Sequence, residues 1–171
     1  VNCSYSGSTI CNTGYNGADA TSTSFIARMK DYFSSDSVYN NADTIFLFGG
    51  TNDSWANSPI GELKYSGWTN EDLKSVLPAF CYMISYIKEN NPNARIINVI
   101  NYGLKSDIVS GMKTACEYYG IDCISLTQFS VSEGHPTVDG MTQIKNQIVD
   151  YLITKDSANS NTSDDFPLEK L

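Results

Sequence analysis

A chain of 171 residues is long enough for one domain with a sizeable hydrophobic core. Its formal net charge of −8 argues against a nucleic-acid partner, because phosphate binding needs a basic face. No apolar run approaches the roughly 20 residues that cross a bilayer, so no membrane span is expected. The polar residues are mainly Asn, Ser, Thr and Tyr, a composition typical of carbohydrate-handling or exported proteins.

The cysteines give little sign of a metal site. There are five of them, so at least one thiol is unpaired within the chain. None forms a C-x-x-C pair and the chain has one histidine, so we expect no zinc site and no cofactor. Cys3 and Cys11 could form a disulfide in an exported protein, whereas Cys81 and Cys116 lie among apolar helix positions and are expected to be buried thiols.

The first 41 residues are predicted to be a loop, a helix and a turn. The chain begins at Val1 without an initiator Met, so we expect upstream residues to have been removed or omitted. Residues 1–21 are rich in Ser, Gly, Asn and Thr and are predicted to form a loop. Apolar residues at helical spacing predict a helix over 21–33, and a turn follows over 34–41.

A buried strand is predicted over 44–48, where residues of high strand propensity run into Gly49 and Gly50. In an open α/β sheet, ligands bind at the carboxyl ends of the strands. Gly50-Thr51-Asn52-Asp53 is therefore the first candidate for a ligand-binding loop. It opens a long connection, over 53–67, before the next helix.

Strands and helices alternate through the rest of the chain. Thr69-Asn-Glu-Asp72 has the spacing of a capping box and is predicted to open the longest helix, which ends near Glu89. Further strands are predicted over 94–100 and 121–126, and helices over 105–119 and 139–153, the last with Asp139 as its N-cap. This alternation predicts one α/β domain over 1–155 with three layers and a mostly parallel sheet. A polar tail or linker is predicted over 156–171.

A second candidate loop, predicted over 128–138, contains Glu133-Gly134-His135-Pro136. His135 is the only histidine in the chain. A lone histidine is more often structural than catalytic. Here it follows a predicted strand, lies between a glycine and a proline that restrict the backbone, and precedes a helix, which favours a catalytic role.

Three blocks resemble those of the SGNH hydrolases, the GDSL-like lipases and esterases. Gly50-Thr51-Asn52-Asp53 resembles the G-x-N-D block, and residues 2–9 resemble the glycine block that precedes it. Gly134-His135-Pro136 resembles the last block, which carries the catalytic histidine. The resemblance covers about residues 1–153 and implies a three-layer α/β/α, flavodoxin-like fold.

The resemblance implies a serine esterase that hydrolyses carboxylic esters, small-molecule or carbohydrate, including acetyl groups on sugars. A serine would attack the ester carbonyl while His135 takes its proton as general base. The Gly7 backbone N–H, the Asn52 side-chain amide and the N–H of the nucleophile would hold the oxyanion. No cofactor is implied.

Two positions depart from the family pattern. The nucleophilic serine of the family lies in a G-D-S block on a central first strand, upstream of the glycine block. We therefore expect the chain to be N-terminally incomplete, or to receive that strand from another chain. Ser4 lacks a preceding Gly-Asp and is not expected to be the nucleophile. The acid of the D-x-x-H pattern is replaced by Ser132, so Glu133 is the tentative acid, and the alternative is a Ser–His dyad oriented by a backbone carbonyl.

Several residues of the first loop have two interpretations. Trp55, with Tyr65 and Trp68, would form an aromatic wall for an acyl or sugar group, or would pack the long connection onto the sheet. Gly50 and Asp53 would help to bind the substrate, although Asp53 would equally tie the turn to nearby backbone N–H groups.

The sequence leaves two other functions open. One is a non-catalytic carbohydrate-binding or scaffold protein on the same fold, which the missing acid and nucleophile favour. The other is a flavodoxin-like nucleotide binder that uses Gly49-Gly50-Thr51 as a phosphate loop. The second is disfavoured by the expectation that no glycine-rich turn opens a helix directly.

Overall fold

A computed structural model describes residues 2–34 and 41–163. Most of the turn predicted over 34–41 lies outside the described residues. The chain forms two compact units, Val1–Ser125 and Leu126–Leu171. The predicted domain boundary at residue 155 stays a prediction.

The first unit contains a parallel sheet of three strands. These are β1 (Thr44–Leu47), β2 (Arg95–Ile100) and β3 (Asp122–Ser125), in the order β1-β2-β3. The central strand β2 is buried over all but its first residue, which is why its sequence is a nearly continuous apolar run. The strands predicted over 44–48, 94–100 and 121–126 are confirmed within a residue or two.

Four helices accompany this sheet. They are α1 (Phe25–Ser34), the short α2 (Thr51–Ala56), α3 (Val76–Asn90) and α4 (Ser106–Tyr119). Helix α3 packs against α1 and α4, and α4 packs against β2 and β3. Apolar residues recur at helical spacing along α3, and this stripe is buried in the core from Val76 to Ile87. Helix α4 ends at Tyr119 as predicted, and Gly120 follows it in the left-handed conformation.

The predicted capping box before α3 forms its hydrogen bonds but does not cap α3. The Thr69 N–H and hydroxyl both donate to the Asp72 carboxylate, at 2.6 and 2.7 Å, just before a short 3-10 helix over Asp72–Lys74. Helix α3 itself begins at Val76, whose N–H donates to the Pro59 carbonyl at 2.8 Å. The long connection therefore supplies an acceptor for the first turn of α3, which sequence spacing alone did not predict.

The second unit consists of a small hairpin and a long helix. The hairpin pairs β4 (Val131–Ser132) with β5 (His135–Pro136), and α5 spans Val138–Ser163. The region predicted as a loop over 128–138 therefore contains two paired strands. Helix α5 continues beyond the predicted end at 153, because neither glycine nor proline occurs between residues 141 and 163.

The N-cap of α5 is Thr137, and the prediction of Asp139 was wrong. The Thr137 hydroxyl accepts the Gly140 N–H at 3.1 Å, and Asp139 lies within the first turn. Over residues 2–34 and 41–163, no helix combines the length and the apolar character that a bilayer crossing requires.

Candidate active site

The turn after β1 is built around Gly50. This residue has φ +94 and directly precedes α2, so residues 51–56, expected to be loop, form a short helix. A β-carbon at Gly49 would lie 2.5 Å from the Phe25 ring, so this position also excludes larger residues. Gly50 is buried, and its contribution is therefore to direct the chain into α2.

Asn52 lies in the first turn of α2, and both ends of its side-chain amide are held. Its Nδ2 donates to the Ser8 carbonyl at 2.9 Å, and its Oδ1 accepts the Tyr15 hydroxyl at 3.0 Å. An amide nitrogen carries two protons. Ser8 accepts one, and no other described residue accepts the second. The amide is therefore oriented and keeps one N–H for a further acceptor.

Gly7 directly precedes Ser8, whose carbonyl accepts the hydrogen bond from the Asn52 amide. The Ser8 N–H donates to the Tyr5 carbonyl at 3.3 Å, which closes a tight turn with Gly7 at φ +76. Gly7 is exposed, and its own N–H has no acceptor among the described residues. Because Asn52 contacts the carbonyl of the next residue, the structure brings the two predicted donors, Gly7 and Asn52, together.

Asp53 is the buried residue that holds the segment after Gly7 and Ser8 against α2. It is fully buried, and its carboxylate accepts the Ile10 N–H at 2.9 Å and the Cys11 N–H at 3.2 Å. Burial raises its pKa, and the two backbone N–H groups oppose that rise. Of the two roles considered for Asp53, the geometry favours that of tying the turn to backbone N–H groups.

The loop after β2 is also tied to α2. The Asn101 side-chain amide donates to the Thr51 hydroxyl at 2.9 Å, and the Lys105 N–H donates to the Ser54 hydroxyl at 3.1 Å. The carboxyl ends of β1 and β2 thus form one hydrogen-bonded edge, the position at which α/β sheets bind ligands.

The aromatic residues of the long connection divide into two groups. Tyr65 stacks on Tyr118 of α4 at 3.8 Å between ring centroids, and Trp68 meets Tyr82 of α3 edge-on at 5.5 Å. These contacts pack the connection against the helices, which is the structural interpretation. Trp55 differs, because it lies on α2 with 51% of its surface exposed, three residues from Asn52.

A phosphate loop at Gly49-Gly50-Thr51 is not supported, although one reason expected against it was wrong. A glycine turn does open a helix directly here. However, α2 has only six residues and carries the Asp53 carboxylate in its first turn. An acidic side chain in the first turn disfavours the binding of a second anion at that end of the helix.

Within the part of the chain that the structure describes, strand β1 pairs with β2 along one edge only. A groove of about 470 Å3 follows the other edge, lined by residues of β1, by apolar residues of α1 and α3, and by the segment that contains Ser4. Within β1, Phe46 has 47% of its surface exposed. A further strand could pair with such an edge and pack against the apolar side chains beside it.

In the second unit, His135 lies on the hairpin. Ser132 is directly opposite it, and Glu133 and Gly134 form the two-residue turn between them. Both turn residues have positive φ, at +50 and +80, which is the pattern of a type I′ turn. All four residues are exposed. The structure therefore places Ser132, at the family's acid position, as the cross-strand neighbour of His135, with Glu133 at the hairpin tip.

Two residues that orient the Asn52 side chain could not be recognised from the sequence. Tyr15 and the Ser8 carbonyl orient Asn52, but neither belongs to a recognisable motif spacing. Tyr15 lies in a short 3-10 helix within a segment predicted only as a loop. The hydrogen bond to Asn52 spans 37 residues, a separation that local patterns do not report.

The parallel sheet and the polar loop after β1 define an α/β protein of the SGNH-hydrolase class. The chain belongs to the GDSL-like lipase/acylhydrolase family, whose model matches residues 1–152. The predicted family and α/β fold class are thereby confirmed. A comparison with curated protein sequences gave no match.

Two solved structures of proteins assigned as GDSL-like lipases are similar to the chain. One, from Bacteroides uniformis, is 43% identical with a TM-score of 0.81, over 88% of this chain and 67% of its own. The other, from Bacteroides ovatus, is 42% identical with a TM-score of 0.79, over 86% and 68%. A protein from Lactobacillus plantarum is 19% identical with a TM-score of 0.65, over 87% and 78%, and shares the fold alone.

Proposed function

We propose that this chain is the greater part of a serine esterase that hydrolyses carboxylic esters, including acetyl esters of carbohydrates. His135 is the general base, and Gly7 and Asn52 form the oxyanion hole. Membership of the GDSL-like lipase/acylhydrolase family supports ester hydrolysis as the reaction class. The resemblance to the GDSL-like esterases and the polar composition support acetyl esters of carbohydrates as the substrates.

In the proposed reaction, a serine oxygen attacks the ester carbonyl carbon while His135 accepts the hydroxyl proton. The tetrahedral intermediate carries its negative charge on the former carbonyl oxygen. When the intermediate collapses, the C–O bond to the alcohol breaks and His135 returns the proton to the leaving oxygen. Water then repeats the sequence on the acyl-enzyme, which releases the acid and restores the serine.

The observation that carries the proposal is the Asn52 amide. Its orientation is fixed by Ser8 and Tyr15, and one N–H has no acceptor in the described part of the chain. The Gly7 N–H, one residue from Ser8, also has no acceptor among the described residues. Two oriented donors that stabilise charge as it develops, and need no reorganisation, are what an oxyanion hole requires.

The nucleophile in this proposal is a serine supplied on a strand that pairs with the unpaired edge of β1. Residues 44–48 all line the groove along that edge, which is long enough for an extended segment of similar length. Such a strand would run parallel to β1 and end at the same edge of the sheet as Gly50 and Asn52. A Gly-Asp-Ser segment at its carboxyl end would place the serine beside these donors.

The acid partner of His135 is proposed to be Glu133. Ser132 faces His135 across the hairpin but is neutral, so it would orient the imidazole without stabilising its charged form. Glu133 is the one acidic side chain in the turn itself. The alternative is a Ser–His dyad, in which a backbone carbonyl holds the imidazole.

A fluorophosphonate probe, which phosphonylates activated serines, tests this proposal in the full-length protein that contains this chain. We expect one serine to be labelled, and we expect His135→Ala to abolish labelling because the base is lost. Tyr102→Phe serves as the folding control, since Tyr102 is exposed and lies outside the proposed machinery. The absence of labelling in the unmodified protein would overturn the proposal.

A non-catalytic carbohydrate-binding protein is the second candidate, and the exposure of Trp55 favours it. An exposed indole next to polar donors is suited to stack on a sugar ring. This candidate predicts sugar binding that is lost on Trp55→Ala, together with no labelling by the fluorophosphonate. The two candidates therefore give opposite results in the same labelling experiment.

A further inference from the structure

We propose that Thr51 and Trp55 form a subsite for the alcohol part of the ester, and that this subsite selects a neutral, hydroxylated sugar ring. The inference rests on the proposed esterase function and adds the residues that distinguish a sugar ester from a simple one. Three features of the described residues support it: the side of α2 that faces solvent, a hydroxyl proton of Thr51 that has no acceptor, and the exposed ring of Trp55.

Helix α2 has one buried side and one open side. Asp53 is fully buried, and backbone N–H groups hold its carboxylate in the core. Because successive residues of an α-helix are rotated by about 100°, the side of α2 opposite Asp53 carries Thr51 and Trp55, with Asn52 next to them. On a helix, residues three and four apart have β-carbons about 5–6 Å apart. A ligand held at the Asn52 amide is therefore within reach of both side chains.

The Thr51 hydroxyl is an oriented hydrogen-bond donor. The Asn101 amide donates to its oxygen at 2.9 Å, and the Asn101 Oδ1 accepts the N–H of the next residue, which holds that amide in place. A hydroxyl has one proton of its own to donate. Among the described residues, nothing accepts the Thr51 proton. Since Asn101 occupies one lone pair, the proton points away from Asn101 and is left for a ligand.

Trp55 adds an apolar surface beside this donor. Its side chain projects between Thr51 and Asn52 and leaves 51% of the residue exposed. A pyranose ring has C–H groups on its faces and hydroxyls at its edge, so an indole and a hydroxyl side by side match both kinds of surface. An acetyl group presents only a methyl, and the alcohol part of the ester is therefore what this pair contacts.

The charges of α2 favour a neutral sugar. The sequence of α2 is Thr-Asn-Asp-Ser-Trp-Ala, and its one ionisable residue, Asp53, is turned into the core. The open side therefore offers one hydroxyl, one amide and one indole, none of which carries a charge. A site of this kind recognises hydroxyl groups and ring faces without selecting for a carboxylate or a phosphate on the sugar.

The test measures acetate release from three esters by the full-length protein. Methyl 6-O-acetylglucopyranoside has a six-membered ring with hydroxyls. Cyclohexylmethyl acetate has a ring of the same size without them, and ethyl acetate has no ring and reports ester hydrolysis itself. Comparing variants on each ester separates the contribution of the hydroxyl from that of the ring.

Thr51→Val removes the hydroxyl and keeps the branched shape of the side chain. We expect kcat/KM for the sugar acetate to fall roughly 3- to 10-fold, because one neutral hydrogen bond is lost, with less than about a 2-fold change on the other two esters. Thr51→Ser keeps a hydroxyl and should retain most of the activity on the sugar acetate. Thermal unfolding of each variant verifies that it is folded.

Trp55→Ala removes the ring surface. We expect kcat/KM to fall roughly 10-fold or more for both ring-containing esters, and by less than about 2-fold for ethyl acetate. Tyr118→Ala is the matched control, since Tyr118 is 62% exposed and lies near the far end of α4. That helix begins beside α2, at the Lys105 N–H that binds Ser54, and is about 20 Å long. Tyr118→Ala should leave all three activities unchanged.

The outcomes separate this inference from the proposed function. Equal losses on all three esters in Thr51→Val and Trp55→Ala would overturn the subsite and leave ester hydrolysis standing. An unchanged kcat/KM for the sugar acetate in both variants would overturn it as well. If the unmodified protein hydrolyses none of the esters, the proposed function fails and the inference fails with it. The comparison of Thr51→Val with Thr51→Ser remains decisive if Trp55→Ala does not fold.

Discussion

Both carboxylate oxygens of Asp53 accept the backbone N–H of Ile10, each at 2.9 Å, across a separation of 43 residues. This contact fixes the segment that carries Gly7 and Ser8 against the helix that carries Asn52. The aspartate of the G-x-N-D block therefore supports the site from within the core, and the neighbouring asparagine presents the polar group to the surface.

Replacing Asp53 should destabilise the protein markedly. Asp53→Ala leaves the Ile10 and Cys11 N–H groups buried without an acceptor, and we expect a loss of about 2–4 kcal/mol in the free energy of unfolding. Urea unfolding followed by circular dichroism measures this loss. The control is Glu62→Ala, on an exposed part of the long connection, which should change stability by less than about 0.5 kcal/mol. Equal effects of the two substitutions would show that Asp53 has no special supporting role.

Asn52 and Tyr15 should differ in their effects on catalysis. Asn52→Ala removes a proposed oxyanion donor, and kcat for an aryl acetate should fall by roughly 10²–10³-fold in the full-length enzyme. Tyr15→Phe removes only the hydroxyl that orients the amide, so kcat should fall by roughly 3- to 10-fold. Steady-state kinetics on both variants, with thermal unfolding to verify folding, checks the order. A smaller loss for Asn52→Ala than for Tyr15→Phe would remove Asn52 from the oxyanion hole.

Glu133 allows stability and catalysis to be separated at one position. Its φ of +50 is unfavourable for a side chain with a β-carbon, so Glu133→Gly should stabilise the hairpin by roughly 0.5–1 kcal/mol. If Glu133 is the acid partner of His135, the same variant should lose roughly 10²-fold or more in kcat. A stabilised variant with full activity would eliminate Glu133 as the acid and leave the dyad.

The ion pair before α3 should make stability depend on pH. The Lys64 ammonium, 2.7 Å from Asp72, and the Thr69 donors lower the pKa of Asp72 from 3.8 to about 2. Because the folded pKa lies below the unfolded value, this stabilisation is present above pH 4 and is lost as the pH falls from about 4 to about 2. Asp72→Asn should therefore lower the melting temperature at pH 7, with the difference disappearing near pH 2. A difference that persists at pH 2 would assign the effect to packing.

The periodic parts of the fold could be predicted from the sequence, because burial imposes its own pattern. The β2 run and the stripe of α3 are buried as their spacing predicts. The Gly50-Thr51-Asn52-Asp53 motif likewise located the polar loop after β1. These features depend on neighbouring residues in the chain, and local sequence therefore contains them.

The features that sequence did not predict depend on distant partners or on turn conformation. The contacts of Asn52 with Tyr15 and Ser8 join segments far apart in the chain. The hairpin at His135 is closed by a Glu-Gly turn, in which Glu133 adopts a conformation more typical of Asn or Gly. Because Glu-Gly is not a typical turn sequence, the hairpin was not predicted, and neither was the pairing of Ser132 with His135.

The most direct test of the proposed function is kcat/KM for hydrolysis of p-nitrophenyl acetate by the full-length protein and its His135→Ala variant. The proposed role of His135 as general base predicts that the substitution lowers kcat/KM by roughly 10³-fold or more, while the melting temperature stays the same because His135 is exposed. Unchanged kcat/KM in a folded His135→Ala variant would contradict the proposal.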